Sequence, residues 1–549
     1  MSKGKYLPLL LLAAGAAGLN YALSPVDRRG RNTWLPGKWA EWVDMNDWWL
    51  NFWAFLIVAG LIFRLLGADR SVRFRIGAVV ALGTLLAVAI ETAQFWIPGR
   101  CPDPGDLTAA LAGSMVGGLL AGLGRVARAR GVRPNGSAQR QKGRLRICFL
   151  DQTGQLGGAE LMLLDLVAEL PGGSRVETGR DVVAEVILFD DGPFREALQA
   201  RGVACRVERL GRVAASQTKE AGWRGWARAL PDAWGLAGRV VCRIRETDAD
   251  VVYSNTAKAL LVGVLAARWS GRPLVHHLHD LLIPEHFSWA NRWLLVGAAN
   301  WGAAAVIANS TATAAAFIAS GGRKNLVTVI PNGFDPGRFE APAAEELERC
   351  RAEWPWVGGS ADGLAGLVFG VFGRLTPWKG QMVFLEALAL VPQARGVVVG
   401  AALFTAEDRA YAEELRRRAE SPDLQGRVVL VGFREDVVAL MHAVDVVVHC
   451  STQPEPFGRV IAEAQLCGVP VIAARAGGVL DIVEDGNTGK LVNPGDPAAL
   501  AEAMRFLNDF PEERAALARR GRSAAVKNFG LDAVRSRTLG VIGGTHGAG

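Results

Sequence analysis

Two glutamates in the C-terminal third of the chain, Glu455 and Glu463, are separated by seven residues. They follow an apolar run that ends near His449, and Gly458 lies between them where a helix can begin. If it does, Glu455 lies in the loop before the helix and Glu463 in its second turn, so both can reach one extended ligand. Carboxylates are bidentate acceptors, so the pair predicts contacts with a sugar and with a ribose diol.

Two cations, Arg374 and Lys379, lie five residues apart after another apolar run, beside Gly373 and Gly380. When the glycosidic bond of a nucleotide sugar breaks, negative charge builds on the phosphate oxygens. Fixed cations in a partly dry cleft stabilise that charge more in the transition state than in the ground state. The pattern therefore predicts a diphosphate site, and the alternative is a pair of ordinary surface charges after a strand.

Glycine pairs occur in two further loops. Gly157 and Gly158 follow the first apolar run of the soluble region, where backbone N–H groups and a helix N-terminus can approach an anion. Such turns are also common for packing reasons, so this pair alone is a weak signal. Gly477 and Gly478 form the corresponding loop after a later strand.

The elements that must position these residues are short buried strands alternating with helices, which is the signature of doubly wound parallel sheets. The first set is predicted at Leu145–Leu150, Val182–Phe189, Val251–Ser254, Leu274–His277 and Ala305–Ala308. The second set, after a polar break at Ala341–Ala365, is predicted at Leu367–Phe372, Gly396–Val399, Val428–Val431, Val444–His449 and Val469–Ala473. Two such sets imply two Rossmann-like lobes facing a cleft, with ligands at the carboxyl ends of the strands.

The basic excess of the chain belongs to its N-terminal region. The first 146 residues hold 19 Lys and Arg against 8 Asp and Glu, whereas the whole chain of 549 residues has a net charge of +7. Charge that flanks apolar segments is explained by membrane orientation, so we expect no nucleic-acid partner.

Four apolar runs precede the soluble region, each close to the length that crosses a bilayer. They are Leu7–Leu23, Trp48–Leu66, Ile76–Ile97 and Leu107–Leu123. With the N-terminus inside, most of the flanking Lys and Arg fall on the cytoplasmic side, which predicts a multi-pass inner-membrane protein with a cytoplasmic catalytic region. The alternative for the first run is a cleaved signal peptide, which leaves three crossings and the same orientation.

A polar cluster lies at the end of the third run and just after it, where ionisable groups near hydrocarbon are costly. Its members are Glu91, Gln94, Arg100, Asp103 and Asp106. Mutual neutralisation of Glu91 and Arg100 and a binding role are equally open interpretations. The string from Glu91 to Leu107, followed by Gly113 and Gly117, resembles VanZ-like membrane domains, although Ala110 stands where that family usually carries Asn.

The seven cysteines lie far apart without Cys-x-x-Cys or paired-His spacing, so we expect reduced thiols and no zinc site. We also expect no metal and no cofactor, because the nucleotide sugar is a substrate.

Several motifs occur in the order found in retaining glycosyltransferases of family 4, which the region from about 145 to 530 resembles. They are Gly157-Gly158, Asn332-Gly333, Gly373-Arg374, Lys379-Gly380, the Glu455/Glu463 pair and Gly477-Gly478. The resemblance implies the α/β GT-B fold, preceded here by an all-α membrane domain of four helices. It also implies front-face substitution, in which the leaving phosphate takes the acceptor proton.

Residue roles follow from the same resemblance. Arg374 and Lys379 would bind the donor diphosphate, Glu455 would contact the donor sugar, and Glu463 would hold the ribose. The remaining donor contacts would come from Gly157, Gly158, Gly373, Phe457, Gly458, Gly477 and Gly478. His279 matches the histidine that such enzymes carry near the donor sugar, the alternative being a hydrogen bond within its own loop.

The sequence thus predicts a membrane domain at 1–125, a basic linker at 126–144, lobes at 145–345 and 366–530, and a tail at 531–549. The predicted function is retaining transfer of a sugar from a UDP- or GDP-sugar to a lipid-linked or envelope-glycan acceptor, with membrane lipids as further partners. Open alternatives are an inactive binding or regulatory protein of the same fold, and a nucleotide-sugar epimerase or phosphorylase.

Overall fold

The computed structural model describes residues 59, 78–83, 85, 114, 144–168, 181–217, 223–354, 356, 366–402 and 405–547. Contacts divide the chain into two compact units, residues 1–140 and 141–549.

In the first unit, residues 78–83 are helical and Val79 is buried. Gly83 packs so closely on the buried Ser114 that a side-chain carbon at Gly83 would lie 2.2 Å from Ser114 Oγ. Among the residues that the structure describes, no helix is both long and apolar enough to cross a bilayer. The predicted spans lie almost entirely outside the described residues, as does the whole polar cluster from Glu91 to Asp106.

The second unit begins with a parallel sheet in the strand order β3-β2-β1-β4-β5-β6-β7. Its strands are β1 (Arg144–Asp151), β2 (Asp181–Leu188), β3 (Ala204–Val207), β4 (Val251–Ser254), β5 (Leu274–Leu278), β6 (Ala305–Ala308) and β7 (Val327–Val329). The order reverses between β1 and β4, which pair from Ile147 with Val251 to Leu150 with Ser254. Sequence reasoning missed β3 and β7, because these short strands are only partly buried.

Helices cover both faces of this first sheet. They are α1 (Gly158–Val167), α2 (Pro193–Ala200), α3 (Arg212–Ala215), α4 (Trp223–Glu246), α5 (Ala257–Ser270), α6 (Trp289–Gly302) and α7 (Thr311–Ala319). Ser288 and Ser310 cap α6 and α7 by accepting from backbone N–H groups three residues later, as helix N-termini favour.

The second sheet is also parallel, in the order β10-β9-β8-β11-β12-β13. Its strands are β8 (Val368–Phe372), β9 (Arg395–Val399), β10 (Val428–Gly432), β11 (Val446–His449), β12 (Val471–Ala474) and β13 (Lys490–Val492). Its order reverses between β8 and β11. The two sheets confirm the predicted pair of Rossmann-like lobes, and the sequence missed only the partly buried β13 here.

Helices also pack against both faces of the second sheet. They are α8 (Ala344–Ala352), α9 (Gln381–Ala389), α10 (Ala406–Ala419), α11 (Val437–Ala443), α12 (Arg459–Leu466), α13 (Pro497–Asp509) and α14 (Pro511–Phe529). A last helix, α15 (Leu531–Gly547), occupies the predicted tail.

The chain crosses between the lobes twice. Phe334, Phe339 and Cys350 belong to the buried core of the second lobe, so the segment after Gly333 packs there rather than with the first lobe. At the second crossing, the buried side chains of α15 pack into the core of the first lobe. The predicted boundaries at 345 and 530 therefore differ from the packing, because composition does not record which core a connecting segment joins.

Candidate active site

The predicted cations of the second lobe and Glu455 follow the two strands between which its strand order reverses. β8 ends at Phe372 and delivers Gly373 and Arg374, while its neighbour β11 ends at His449 and leads to Glu455. The two strands pair directly through Phe369 to Val371. Their carboxyl ends therefore share one edge of the sheet, which is where open α/β folds bind ligands.

Glu455 is held by three donors on one carboxylate oxygen. Lys379 Nζ and His449 Nε2 each lie 2.6 Å from Glu455 Oε1, and Ser451 Oγ lies 2.5 Å from it. Burial raises the pKa of Glu455, but Lys379 and His449 outweigh it and hold the pKa well below the usual range. The carboxylate is consequently ionised and fixed in place, and Lys379 is its ion-pair partner.

Glu463 lies on α12, the helix that the sequence predicts to begin at Gly458. Gly458 has φ 102°, a left-handed conformation that glycine tolerates best, and α12 starts at the next residue. Arg459 Nη2 lies 3.0 Å from Glu463 Oε1, one helical turn away. The structure therefore confirms the predicted placement of the two carboxylates around the helix start and adds a partner for the second.

Arg459 is a site residue that the sequence reasoning missed. Its guanidinium lies 4.7 Å from the centre of the Phe334 ring. A side-chain carbon at Gly158 would lie 3.2 Å from Arg459 Cδ, so the first-lobe glycine loop touches the second lobe here. The signal was present, since Arg459 and Glu463 have the i,i+4 spacing of helical ion pairs.

Gly477 and Gly478 position the Glu455 loop. Gly477 has φ 65°, and a side-chain carbon there would lie 2.3 Å from the Glu455 carbonyl oxygen. The Gly478 N–H donates to that carbonyl at 2.8 Å. The family resemblance implies that the backbone N–H groups of both glycines face a donor molecule. For Gly478 this expectation changes, because its N–H already donates to the carbonyl oxygen of Glu455.

Phe457 differs from the expectation of a donor contact. Its ring is buried, with 2% of its surface exposed, and packs against Phe334 and Phe529 with centroid distances of 6.4 and 5.5 Å. The aromatic side chain is therefore a core residue, and its contribution to a ligand is limited to its backbone.

Three polar side chains meet at the strand-order reversal of the first lobe. Asp151 ends β1, Asn255 follows β4 and His279 follows β5, and these strands are neighbours. Asn255 Nδ2 donates to Asp151 Oδ2 at 2.7 Å, and Asn255 Oδ1 lies 3.0 Å from His279 Nε2. An amide oxygen only accepts, so this network assigns the proton to His279 Nε2 and leaves Nδ1 as an acceptor.

Burial sets the protonation of the histidine and aspartate side chains at this reversal. It lowers the pKa of His279 to about 3 and that of His276 to about 4. Burial, together with the nearby Glu160 carboxylate, raises the pKa of Asp151 to about 8. His279 is therefore a neutral hydrogen-bonding group near neutral pH rather than a cation.

Glu160 explains the first glycine of the predicted loop. Gly157 precedes α1, and a side-chain carbon there would lie 2.7 Å from Glu160 Oε2. The carboxylate folds back over the start of the helix, where a helix N-terminus favours negative charge. Gly157 thus leaves room for this carboxylate, and a larger residue there would displace it.

Residues from both lobes line a cavity of 490 Å³. Of the predicted residues, Gly157, Gly158 and His279 line it from the first lobe and Arg374 lines it from the second. Asn255 and Glu160, which sequence reasoning missed, line it too. In the described part of the chain, no cluster of His, Cys, Asp or Glu has the arrangement of a metal site.

Family models match three parts of the chain. Residues 364–524 match "Glycosyl transferases group 1", residues 157–333 match "Glycosyl transferase 4-like domain", and residues 18–125 match "VanZ/LLP1". The two transferase matches coincide with the two lobes, and the third covers most of the predicted membrane domain.

Curated relatives match over the two lobes. The D-inositol 3-phosphate glycosyltransferase of Streptomyces avermitilis is 33% identical over 53% of this chain, which spans 64% of that protein's length. The GDP-mannose-dependent alpha-(1-6)-phosphatidylinositol monomannoside mannosyltransferase of Mycolicibacterium smegmatis is 31% identical over 54% of this chain and 76% of its own length.

A solved structure is similar over the same region. Anabaena Alr3699/HepE, crystallised in complex with UDP and glucose, is 37% identical, with a TM-score of 0.61 over 73% of this chain and 100% of that one. The fold, the ordered motifs and these similarities lead to one conclusion: the chain belongs to the group 1 glycosyl transferases.

Proposed function

We propose that this protein transfers a sugar, with retention of configuration, from a nucleotide diphosphate sugar to a lipid-linked or envelope-glycan acceptor at the cytoplasmic face of a membrane. The observation that carries the proposal is the 490 Å³ cavity between the lobes, where Arg374 faces the glycine loop and His279. A cation, a helix N-terminus and a neutral histidine acceptor around one cavity suit a donor with a diphosphate at one end and a sugar at the other.

The diphosphate role falls to Arg374 and Lys379. Lys379 donates one hydrogen bond to Glu455, and an ammonium group has three donors. As the glycosidic bond breaks, both cations stabilise the charge that develops on the leaving phosphate. Because this charge is absent from the ground state, their removal should lower the turnover rate more than donor affinity.

The sugar and ribose roles fall to Glu455 and Glu463. All three donors to Glu455 bond its Oε1, so Oε2 can accept a hydrogen bond from a sugar hydroxyl. His279 Nδ1 offers a second acceptor. Retention then follows the front-face course that the family resemblance implies, in which the leaving phosphate takes the acceptor proton. No covalent protein nucleophile is required for this course.

The donor base is proposed as uracil or guanine. Anabaena HepE was crystallised with UDP and glucose, which supports a UDP-sugar. The mycobacterial relative is named as GDP-mannose-dependent, which supports a GDP-sugar. Both UDP- and GDP-sugars should therefore be tested as donors.

The acceptor and the location are proposed from the N-terminal region and from the relatives. The VanZ/LLP1 match covers the stretch where the sequence predicts membrane spans. The relatives include a phosphatidylinositol monomannoside mannosyltransferase and a lipopolysaccharide core biosynthesis glycosyltransferase. We therefore expect lipid or glycan acceptors available at the inner membrane surface.

The test is turnover of UDP- and GDP-sugars by the full-length chain in detergent, with lipid extracts as acceptors and proton NMR of the product's anomeric configuration. Arg374→Ala is expected to lower kcat about 100-fold or more, and Arg416→Ala, an exposed arginine on α10, should leave it unchanged. Donor binding without turnover would establish the inactive binding protein, and a rearranged or phosphorolysed sugar would establish the epimerase or phosphorylase. Equal rates for both variants would overturn the diphosphate role.

A further inference from the structure

Helix α6 exposes three tryptophans on one side. Trp289, Trp293 and Trp301 are 70%, 72% and 59% exposed. They lie at intervals of four and eight residues, so they form a stripe along the helix, with Gly297 at the intervening position. Large aromatic side chains are normally buried in folded proteins, and a row of exposed ones marks an interaction surface.

The opposite side of the same helix lines the cavity. Leu295 and Ala299 are buried and belong to the cavity wall. The N-terminal end of α6 also borders the cleft, because the ring of His286, three residues before Trp289, lies 6.4 Å from the ring of Trp378 in the second lobe. Helix α6 therefore separates the candidate active site from whatever the tryptophan stripe contacts.

Basic side chains surround the C-terminal part of the stripe. Arg268 lies 4.7 Å from the centre of the Trp301 ring. Asn300 forms two hydrogen bonds with the turn after α7. Its side chain donates to Gly321 O and accepts from the Arg323 N–H, both at 2.9 Å. These bonds hold Arg323 and the adjacent Lys324, both exposed, beside the end of α6.

The charge along the stripe is predominantly positive. Arg292 lies on α6 itself and is partly exposed, and the exposed acidic residue close to the helix start is Glu285. Tryptophan rings and basic side chains together are the combination that binds the headgroup region of an anionic bilayer.

We propose that Trp289, Trp293 and Trp301, with Arg268, Arg323 and Lys324, form a surface that docks on anionic phospholipid. This stripe surface belongs to the second unit, and its residues are not among those assigned to the donor site. Docking would place the membrane against the outer side of a helix whose inner side lines the cavity. The inference goes beyond the proposed function, since it concerns lipid contact and holds for any donor sugar.

The test measures the solvent accessibility of the indole rings by hydroxyl-radical footprinting of the full-length chain reconstituted into vesicles. We expect oxidation of the three stripe tryptophans to fall several-fold in vesicles that contain phosphatidylglycerol, relative to vesicles of phosphatidylcholine alone. Phe433, an aromatic residue of the second lobe that is 66% exposed, serves as the internal control and should not change.

A charge variant completes the test. The triple variant Arg268→Gln, Arg323→Gln, Lys324→Gln should lose the protection while keeping donor turnover in detergent, and the exposed Arg416→Gln should keep both. Equal oxidation in the two kinds of vesicle would overturn the proposal. Protection in detergent that grows with protein concentration would also overturn it and would indicate a second copy of this chain. Because donor turnover is measured separately, failure of lipid docking is distinguishable from failure of the proposed function.

Discussion

At the scale of single residues, the Glu455 carboxylate is the group on which the second-lobe site depends. It is almost fully buried, and its ion pair with Lys379 is largely shielded from water. Removing one charge from such a pair leaves the other buried without compensation, which costs far more than losing an exposed pair. His449 and Ser451 donate to the same oxygen, so their hydrogen bonds would lose the negative charge that strengthens them.

We therefore expect Glu455→Gln to lower the free energy of unfolding by about 3 kcal/mol and to abolish most turnover. The matched control is Glu413→Gln, which removes the carboxylate of an exposed ion pair with Arg416 and should cost less than about 1 kcal/mol. Chemical denaturation and donor turnover measure the two effects. Similar stability losses in the two variants would contradict the shielded ion pair.

The sequence singles out Glu455, Arg374 and Lys379 as candidates because each stands in a local motif beside glycines, and their roles stay a prediction. Asp151 and Asn255 could not be found that way, since they lie 104 residues apart in the chain. They meet only because β1 and β4 are neighbours where the strand order reverses. Such contacts depend on sheet topology, which a local pattern of apolar residues does not determine.

At the scale of elements, the packing of α15 could not be predicted from the sequence for the same reason. The sequence treats residues 531–549 as a tail, yet α15 buries Val534, Leu539 and Ile542 in the core of the first lobe. Arg537 Nη2 also donates to Val329 O at 2.7 Å, at the end of β7. The local sequence does not say which lobe receives the apolar side chains of this segment, because that depends on the packing of the whole chain.

Leu539→Ala is expected to destabilise the first lobe by about 2–5 kcal/mol, because it removes a buried side chain and leaves a cavity. Ser536→Ala, an exposed position on the same helix, is the control and should be close to neutral. Thermal unfolding of the two variants measures the difference. An unchanged melting temperature for Leu539→Ala would show that α15 does not contribute to the folded core.

At the scale of the whole molecule, the two lobes share the loop that carries Glu455. Ser310 Oγ and Thr313 Oγ1, at the start of α7 in the first lobe, donate to Pro456 O at 2.5 and 3.2 Å. The Thr311 N–H donates to Asp481 of the second lobe at 2.6 Å. The position of the Glu455 carboxylate thus depends on both lobes, so changes in lobe packing should alter the candidate site directly.

The buried groups at the first-lobe reversal also give the whole protein a defined response to pH. The pKa of His279 is lowered to about 3, so an unfolded chain binds a proton below about pH 6.5 that the folded chain does not. Its contribution therefore weakens the fold as the pH falls. The pKa of Asp151 is raised to about 8, so the folded chain holds a proton that the unfolded chain has lost, and its contribution weakens the fold as the pH rises toward 8.

Replacing the two residues should consequently change the pH dependence of stability in opposite directions. Between about pH 7 and pH 5, the Tm of His279→Gln should fall less than that of the parent chain. Between about pH 6 and pH 8, the Tm of Asp151→Asn should fall less than the parent's. Scanning calorimetry of the three proteins across this range provides the measurement. A lower Tm with unchanged slopes would mean that each substitution only disturbs packing, whereas opposite changes in slope would show that burial fixes the protonation of both groups.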